Sequence, residues 1–579
     1  MTSEEIFISS IVDEAKNYYN KNKYKEALKS LSVLLTKNYN ILSLRAKIYY
    51  ALKEYYKSLK ECEDCINLTN EKNSSVNTEI YQMAILNHIH MFDLESAKEK
   101  LKICEKINKN SSKNKDLQKI IQNEEKKYKT KNFPQIYINF MKKLFKEGLY
   151  INKVEIHFKS ECNRCCIANE NINESDTLIR VPLNSLITID NARSGPLGIY
   201  FTPQLEKKLY SPHHSLLSSF MLSELDKGDS SKYRYYFDFL PSSYDTFPIF
   251  YGQKELNLLQ GTQFLELINK KKKEMKADYD LLSREIPNFS KYDYNLFCKL
   301  REVISSRVFG VTINGKKNDI IAPYADMLNH RRPRQTHWNF DDNSNAFVIK
   351  AISKVEKGME VFDSYGIKCN SRFLLNYGFT VENNEDNEFK IILCLNENSP
   401  HFKEKVEFLG SKNIKKKLVL VSDSSNLKVL QFFAFLRFIL YKKSNFKDVN
   451  MAKPVSISNE VELFEKVRDI MITYLNKYPT TLNEDLEYFN KNKKYLDFNQ
   501  YNCYVIRIGE KKILNYYLNM ANDMLELLSI QKSDSKKVFT EILNLASQEN
   551  NNDAIIMKNN CAKFLKYKSY LSVILPLVL

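Results

Sequence analysis

The sequence predicts a multidomain α+β protein: an N-terminal α-solenoid of helix pairs, a β-rich middle with a helical insertion, and an all-α C-terminal part. Three observations carry this. A four-residue pattern recurs at helical spacing near the N-terminus, strand-like runs are confined to the middle, and long segments with one apolar face fill the end. The expected boundaries are 1–130 for repeats and linker, 131–388 for the β-rich domain with its insertion at about 190–310, 389–545 for the C-terminal helices, and 546–579 for an Asn/Lys-rich, then apolar, tail.

The repeats come first. Tyr24, Ala27, Leu31 and Leu34 stand at offsets 0, 3, 7 and 10. Tyr55, Ser58, Cys62 and Cys65 repeat those offsets, as do Leu94, Ala97, Leu101 and Cys104. This spacing puts four residues on one helical face. Ala15 and Ala46 share one place in the preceding helices, where a small residue lets helices approach. The pattern resembles the tetratricopeptide repeat, a helix-turn-helix unit that stacks into a solenoid and implies a docking surface for partner peptides. In this register Cys62 and Cys65 hold packing positions despite their C-x-x-C spacing. The charged stretch Lys109 to Asn132 reads as a linker.

The middle shows strand runs at Val154–Phe158, Thr177–Val181 and Ala346–Ile352. Asp190 to Gly310 between them is mostly helical in pattern. Leu427 to Lys443 has a strong apolar face behind a Ser425 or Asn426 cap, and Val505 to Leu528 reads as a further long helix.

Composition narrows the function classes. With 43% apolar and 27% charged residues, the chain is globular rather than disordered. The net charge of +17 comes from lysines spread along the whole chain, so no dedicated nucleic-acid groove is expected. The N-terminus lacks the basic-then-apolar order of a signal peptide, and no apolar run reaches the length of a membrane span. The terminal YLSVILPLVL is too short and contains Pro576. Reduced cysteines in cytoplasm or nucleus are therefore expected.

The most informative segment is IIAPYADMLNHRRPRQTHWNF, followed by NAFVIKAISKVEKGMEVFDSYGIKCNSRFLLNYGF. A strand ends near Ile352, a turn falls at Glu356–Gly358, and a second strand spans Glu360–Phe362. Asp363, Ser364, Tyr365 and Gly366 follow, then a short helix from near Ser371 to Gly378. Asn329 and His330 upstream, with Tyr365 and Tyr377 downstream, could frame one pocket; periodicity alone does not bring them together.

These ordered blocks resemble a SET-domain methyltransferase of the Rubisco large-subunit methyltransferase branch. Supporting blocks are VPLNSLIT, LPSSYDTFPIFYGQKELNLLQGTQ, SSRVF and IRIGEKKIL. The resemblance covers about Phe133 to Leu528 and implies a pseudoknotted β-rich domain with a helical insertion, followed by a helical domain. It further implies S-adenosylmethionine as cofactor and a protein substrate. Asp326, Met327, Leu328, Asn329 and His330 would line the cofactor, and Arg307 would meet its carboxylate. Asp176, Thr177 and Leu178 match another cofactor-contacting run, Tyr377 matches a tyrosine near the adenine, and Tyr365 would stand at the methyl-transfer channel.

Such chemistry needs a neutral amine as nucleophile. A free lysine, with a pKa of about 10.4, must lose its proton first. A dry, aromatic-lined channel favours the neutral form, and positioning with electrostatics does the rest without a metal. Phe309 and Ala325 resemble the combination in lysine-modifying members; Asn and Trp stand there in the actin-histidine branch. Lysine is therefore the expected acceptor, with histidine the alternative.

One departure stands out. The branch's glycine-rich loop aligns with Asn163, Arg164 and Cys165, so both glycines are lost. Either the loop meets the cofactor differently, or the chain is a catalytically silent scaffold. Zinc at Cys162, Cys165 and Cys166 would need a fourth ligand, with His157 the nearest candidate. His213 and His214 open an apolar helix and suit an exposed or capping role, while Lys270–Lys273 reads as a solvated helix face.

Overall fold

The computed structural model describes residues 3–34, 38–71, 78–108, 111–130, 134–160, 163–422 and 426–529. The expected tail at 546–579, Cys162 and the candidate cap Ser425 lie outside the described residues. The chain divides into two compact units. One comprises 1–243 and 278–365; the other comprises 244–277 and 366–579. This differs from the expected boundaries. Part of the insertion and residues 366–388 group with the C-terminal helices, while the repeats and the β-rich domain form one unit.

In the first unit, helix pairs open the chain: α1 (Ser3–Asn20) with α2 (Tyr24–Leu31), α3 (Tyr39–Ala51) with α4 (Tyr55–Glu71), and α5 (Thr78–His90) with α6 (Leu94–Ile107). Each pair turns through a residue in the left-handed region, namely Asn22, Lys53 and Phe92. Each turn closes with the same long-range bond: Lys23 N–H to Tyr18 O, Glu54 N–H to Tyr49 O, and Asp93 N–H to His88 O, all at 2.9 Å. This is a helix C-cap built without glycine. Ala27, Leu31, Cys62, Cys65, Ala97, Leu101 and Cys104 are buried, as are Ala15 and Ala46. The stretch expected to be a linker is helical instead. In α7 (Ser112–Thr130), Leu117 and Ile121 lie one turn apart and are buried, and the helix packs against α5 and α6.

Helix α8 (Gln135–Lys146) leads into the β-rich domain and stacks Phe140 on Phe239 at 4.2 Å. An antiparallel sheet runs in the order β1 (Tyr150–Ile151), β4 (Thr177–Pro182), β10 (Ala346–Ala351), β9 (Thr336–Asp341). Beside it lie the hairpin β2 (Val154–Phe158) with β3 (Arg164–Ala168), and the three strands β5 (Ile187–Thr188), β7 (Lys316–Ile321), β6 (Val308–Ile313). Near-continuous burial of Leu178, Ile179, Val181, Phe347 and Ile349 explains why these runs are strands. The remaining pair is parallel: β8 (Asn329–His330) lies beside β11 (Phe362–Asp363). The expected strand at Glu360–Phe362 is thus shifted toward Asp363, with Glu360 making only an isolated bridge to Ile167. The repeats are bonded to this domain through Arg180 with Glu54, Lys53 with Asn152 at 2.9 Å, and Lys142 with Asp93 at 2.7 Å.

The second unit holds the hairpin β12 (Glu388–Cys394) with β13 (Lys415–Val421), which the all-helical expectation missed, and the helices Leu427–Leu440, Ile457–Leu475, Leu482–Asn492 and Phe498–Ser529. Asn426 caps Leu427–Leu440 by accepting from Lys428 N–H at 3.0 Å. The apolar faces of Leu427–Leu440, Ile457–Leu475 and the C-terminal part of Phe498–Ser529 form one core around Phe432, Phe433, Leu463, Phe464, Leu514 and Tyr517, while Phe489 of Leu482–Asn492 packs with Tyr504, Val505 and Ile508. On Leu482–Asn492, Asp485 is buried and enclosed by Arg507 and Lys511. Glu510 accepts from the backbone N–H groups of Gln263 and Phe264 and from the Tyr478 hydroxyl.

Candidate active site

Helix Tyr294–Arg307 starts at an Asp293 cap, which accepts from Leu296 N–H at 2.8 Å, and delivers Arg307 in its last turn. The chain continues as β6 and β7 and then enters a sharp bend. Tyr324 has φ 74° and ψ −47°, a strained γ-turn conformation for a residue with a side chain. That bend swings Ala325–Met327 into a single 3₁₀ turn and sets the Asp326 carboxylate beside Arg307.

Arg307 Nη1 donates to Asp326 Oδ2 at 3.0 Å and to the Asp326 carbonyl at 3.3 Å, and it touches Met327 Sδ. Tyr236 supplies a second donor to the same Oδ2 at 2.7 Å. The Asp326 carboxylate is fully enclosed, yet its Oδ1 takes no hydrogen bond from any described residue.

Asn329 and His330 follow on β8. The Asn329 amide donates to the Arg164 carbonyl at 3.1 Å and to Glu360 at 2.8 Å, and Glu360 also holds Lys159 at 2.8 Å. His330 Nδ1 accepts from Tyr365 N–H at 2.9 Å, which places the neutral ring's proton on Nε2. The two rings stack with centroids 5.2 Å apart, and the Tyr365 hydroxyl donates to the Leu328 carbonyl at 2.9 Å. Parallel pairing of β8 with β11 is what makes these contacts possible. Burial pushes the Asp363 carboxyl up, against bonds from Ser364 N–H, Thr336 and Trp338 that pull it down. Trp338 in turn meets Phe309 edge-on at 5.2 Å, and Phe347 packs on Phe309 at 4.8 Å. Ala325 is buried.

The structure therefore brings together Arg307, Asp326, Met327, Leu328, His330 and Tyr365, and joins Asn329 to the hairpin between β2 and β3. Asp176, Thr177 and Leu178 spend their bonds elsewhere. Asp176 is held by Lys153 at 2.8 Å and by Asn173 N–H, while Asn152 bonds the Thr177 and Leu178 carbonyls. Burial would raise the Asp176 carboxyl, but the Lys153 and Asn173 bonds hold it below its ordinary value. Tyr377 lies in the second unit, near Phe373 and Phe379 and beneath the Lys368 ammonium.

The loop that lost its glycines is a hairpin end. Lys159 and Ser160 N–H groups donate to the Asn163 carbonyl. The Arg164 guanidinium lies 4.1 Å over the Phe239 ring, and Cys165 is buried on β3. Neither Asn163 nor Cys165 has positive φ, so Cys165 carries none of the left-handed strain that glycine would relieve. His157 is exposed, and no three His, Cys, Asp or Glu side chains among the described residues converge on a metal position.

Tyr236, Glu360 and Tyr324 have no role in the sequence reading, and Arg164 enters it only as a position of the altered loop. Tyr236 sits in an aromatic run, KYRYYFDF, that reads as plain core, and Glu360 looks like an ordinary acid at the start of a strand.

Comparison with known proteins agrees with this geometry. Residues 163–366 match the SET domain family, and residues 396–514 match the family described as Rubisco LSMT substrate-binding. The chloroplastic fructose-bisphosphate aldolase-lysine N-methyltransferase of Arabidopsis thaliana is 26% identical over 378 residues, covering 60% of this chain and 75% of that one. Actin-histidine N-methyltransferase of Mus musculus is 25% identical over 374 residues, covering 60% of this chain but only 62% of its own length, under two thirds. The crystal structure of the SET domain of LSMT bound to lysine and AdoHcy has a TM-score of 0.58 at 23% identity and covers 73% of this chain and 98% of that one. Rubisco LSMT bound to AdoMet gives 0.57 at 22% identity, covering 72% and 98%. Residues 163–366 are thus a SET domain. The chain is similar to Rubisco LSMT-like SET methyltransferases, and residues 396–514 match the family described as Rubisco LSMT substrate-binding.

Proposed function

We propose that the protein is an S-adenosylmethionine-dependent protein-lysine N-methyltransferase. The observation that carries this is the juxtaposition of Tyr365 with Leu328 and His330, beside an enclosed acid with one oxygen still open. A guanidinium next to an unfilled buried acceptor fits an α-amino acid group, which carries both a carboxylate and an ammonium. Arg307 and Asp326 would hold that end, and the Asn329–His330 segment the adenosine. When bound, the cofactor supplies a methyl group on a sulfonium centre.

The chain's own residues do the rest. Tyr365 is pinned at both ends, by its N–H and its hydroxyl, so its phenol oxygen is a fixed dipole at the site. Phe309 is held by Trp338 and Phe347 and offers an apolar face to a lysine stem. Neither Phe309 nor the buried Ala325 offers a side-chain hydrogen bond to an imidazole. This favours lysine over histidine as acceptor, although relatives of both kinds match.

The repeats serve in this proposal as a docking arm. Support comes from a cleft of about 340 Å³ between α3, α5 and α7, with Met83, Leu86, Leu117 and Ile120 along it and the Lys47–Glu79 pair at its rim. That chemistry suits a peptide with an apolar stripe. Action in cytoplasm or nucleus is part of the same proposal, and the buried free thiols are consistent with a reducing compartment.

Radiolabelled methyl transfer into cell lysate, followed by mass spectrometry of the modified residue, tests the reading. Label on lysine, lowered about a hundredfold in Tyr365→Phe with cofactor affinity retained, is expected. Label on histidine would redirect the acceptor assignment, and no label from a chain that binds no cofactor would leave a scaffold.

A further inference from the structure

We propose that Asp363 is a positioning residue for the acceptor side chain, acting through the indole of Trp338 on Phe309. The inference rests on the methyltransferase reading above, in which Phe309 meets the lysine stem.

Asp363 ends the short strand β11 and is buried. Its Oδ2 accepts from Trp338 Nε1 at 3.1 Å, its Oδ1 accepts from the Thr336 hydroxyl at 3.3 Å, and Ser364 N–H adds a further bond. Thr336 and Trp338 are alternate residues of β9, so their side chains leave the same face of that strand. One carboxylate grips both. The Thr336 hydroxyl also donates to the Phe362 carbonyl at 3.2 Å, tying β9 to β11.

Trp338 is the chain's only tryptophan and is half-buried. Its side chain has a single polar group, the indole N–H, and Asp363 takes it. The ring meets Phe309 edge-on, with centroids 5.2 Å apart at 77°, and Phe347 at 5.9 Å. Phe347 is fully buried and packs on Phe309 at 4.8 Å. The half-buried Phe309 is therefore held between a ring fixed by burial and a ring fixed by a hydrogen bond. Packing alone leaves a half-buried indole several rotamers; the charge-assisted bond to a buried carboxylate selects one. Asp363 also stands two residues before Tyr365. One stretch of chain thus carries the phenol at the transfer site and the carboxylate that sets the wall around the acceptor. A wall fixed in advance spends less ordering entropy on each acceptor that enters. Removing the carboxylate frees the indole and unbraces Phe309, while the bonds at Asp326 and Asn329 remain.

Because Trp338 is the sole indole, its emission reads the wall directly. The test is fluorescence titration of the full chain, saturated with S-adenosylhomocysteine, with Nε-methyl-lysine, for wild type, Asp363→Leu and Asp363→Asn. In wild type a saturable change in emission is expected. Leucine removes the acceptor, so emission should move to longer wavelength and the Kd for methyl-lysine rise about tenfold, with S-adenosylhomocysteine affinity by calorimetry unchanged. Asparagine keeps an acceptor oxygen and should restore both emission and methyl-lysine affinity, the latter to within about threefold. Trp338→Phe breaks the same bond from the indole side and, by calorimetry, should show the same selective loss of methyl-lysine. Unshifted emission in Asp363→Leu overturns the proposal, as does unchanged methyl-lysine affinity in that variant or in Trp338→Phe. An equal loss for both ligands overturns it too, by marking Asp363 as structural only. A wild-type chain that binds S-adenosylhomocysteine but not methyl-lysine rejects the acceptor wall and leaves the methyltransferase reading standing; one that binds neither removes both.

Discussion

Each compact unit buries a carboxylate against an arginine, and the two are treated differently. In the second unit Asp485 accepts from Lys511 at 2.6 Å and from Arg507 Nε at 3.1 Å on one oxygen, while Arg507 Nη2 holds the other. Lys511 spends its remaining donors on the Thr480 and Thr481 carbonyls and the Thr480 hydroxyl. In the first unit Asp326 receives both of its donors on Oδ2 and keeps Oδ1 empty-handed. A saturated network locks helices together; a network with an unfilled acceptor is poorer glue but a ready receptor. The contrast implies that disturbing the first kind shows in stability and disturbing the second shows in binding.

The largest effect should come from Asp485→Ala. It strands two buried cations, and chemical denaturation should show a loss of about 3–5 kcal/mol in the transition of the second unit, with cofactor affinity per folded molecule unchanged. A loss below about 1 kcal/mol would mean that the saturated cluster is not structural glue.

Next is a pH effect at Glu510. Burial lifts its carboxyl from 4.5 to about 7, against bonds from Tyr478, Gln263 and Phe264 that favour the charge. The folded state holds this proton more tightly than the unfolded one does. Its contribution to stability is therefore complete below about pH 4.5 and is lost as pH rises through about 7. The swing is on the order of 3 kcal/mol. Denaturation midpoints of Glu510→Gln should show a flatter dependence on pH over this range than wild type, and parallel curves would reject the assignment.

At the open site, Asn329→Ala removes the bonds to Glu360 and Arg164. About a tenfold weaker S-adenosylhomocysteine affinity is expected, with a small change in melting temperature. If melting falls steeply while affinity holds, Asn329 belongs with the scaffold. The smallest effect is expected from Cys165→Gly. Since Cys165 already lies on a strand without positive φ, restoring the glycine should change cofactor affinity by less than about twofold. A large gain in affinity would show that the thiol side chain, rather than backbone conformation, obstructs the site.

Much of this architecture was legible in the sequence, for identifiable reasons. The repeat register was visible because buried positions recur at fixed offsets, and Ala27, Leu31, Cys62 and Cys104 are indeed enclosed. The helix at Ser112–Thr130 was not, because its two buried residues, Leu117 and Ile121, stand among lysines, asparagines and glutamates that read as solvated linker. The turns were hidden for a related reason. Asn22, Lys53 and Phe92 adopt a conformation usually signalled by glycine, and tertiary packing overrides that preference. At the site, residues inside the Asp326–His330 motif were recognisable, but their supports were not. Tyr236 and Glu360 act through single bonds made across long stretches of chain, and no local pattern announces those. The glycine loss at Cys165 was alarming in sequence and mild in structure, because a hairpin register tolerates what a left-handed loop would not.

The two-residue parallel ladder between β8 and β11 also has a kinetic meaning. Neither Tyr365 nor the Arg331 N–H that donates to the Asp363 carbonyl can reach its partner until the intervening chain has returned alongside Asn329. Assembly of the pocket is therefore a non-local event, rewarded only after the loop entropy has been spent. Any ligand that binds only the closed pocket would stabilise that form by mass action.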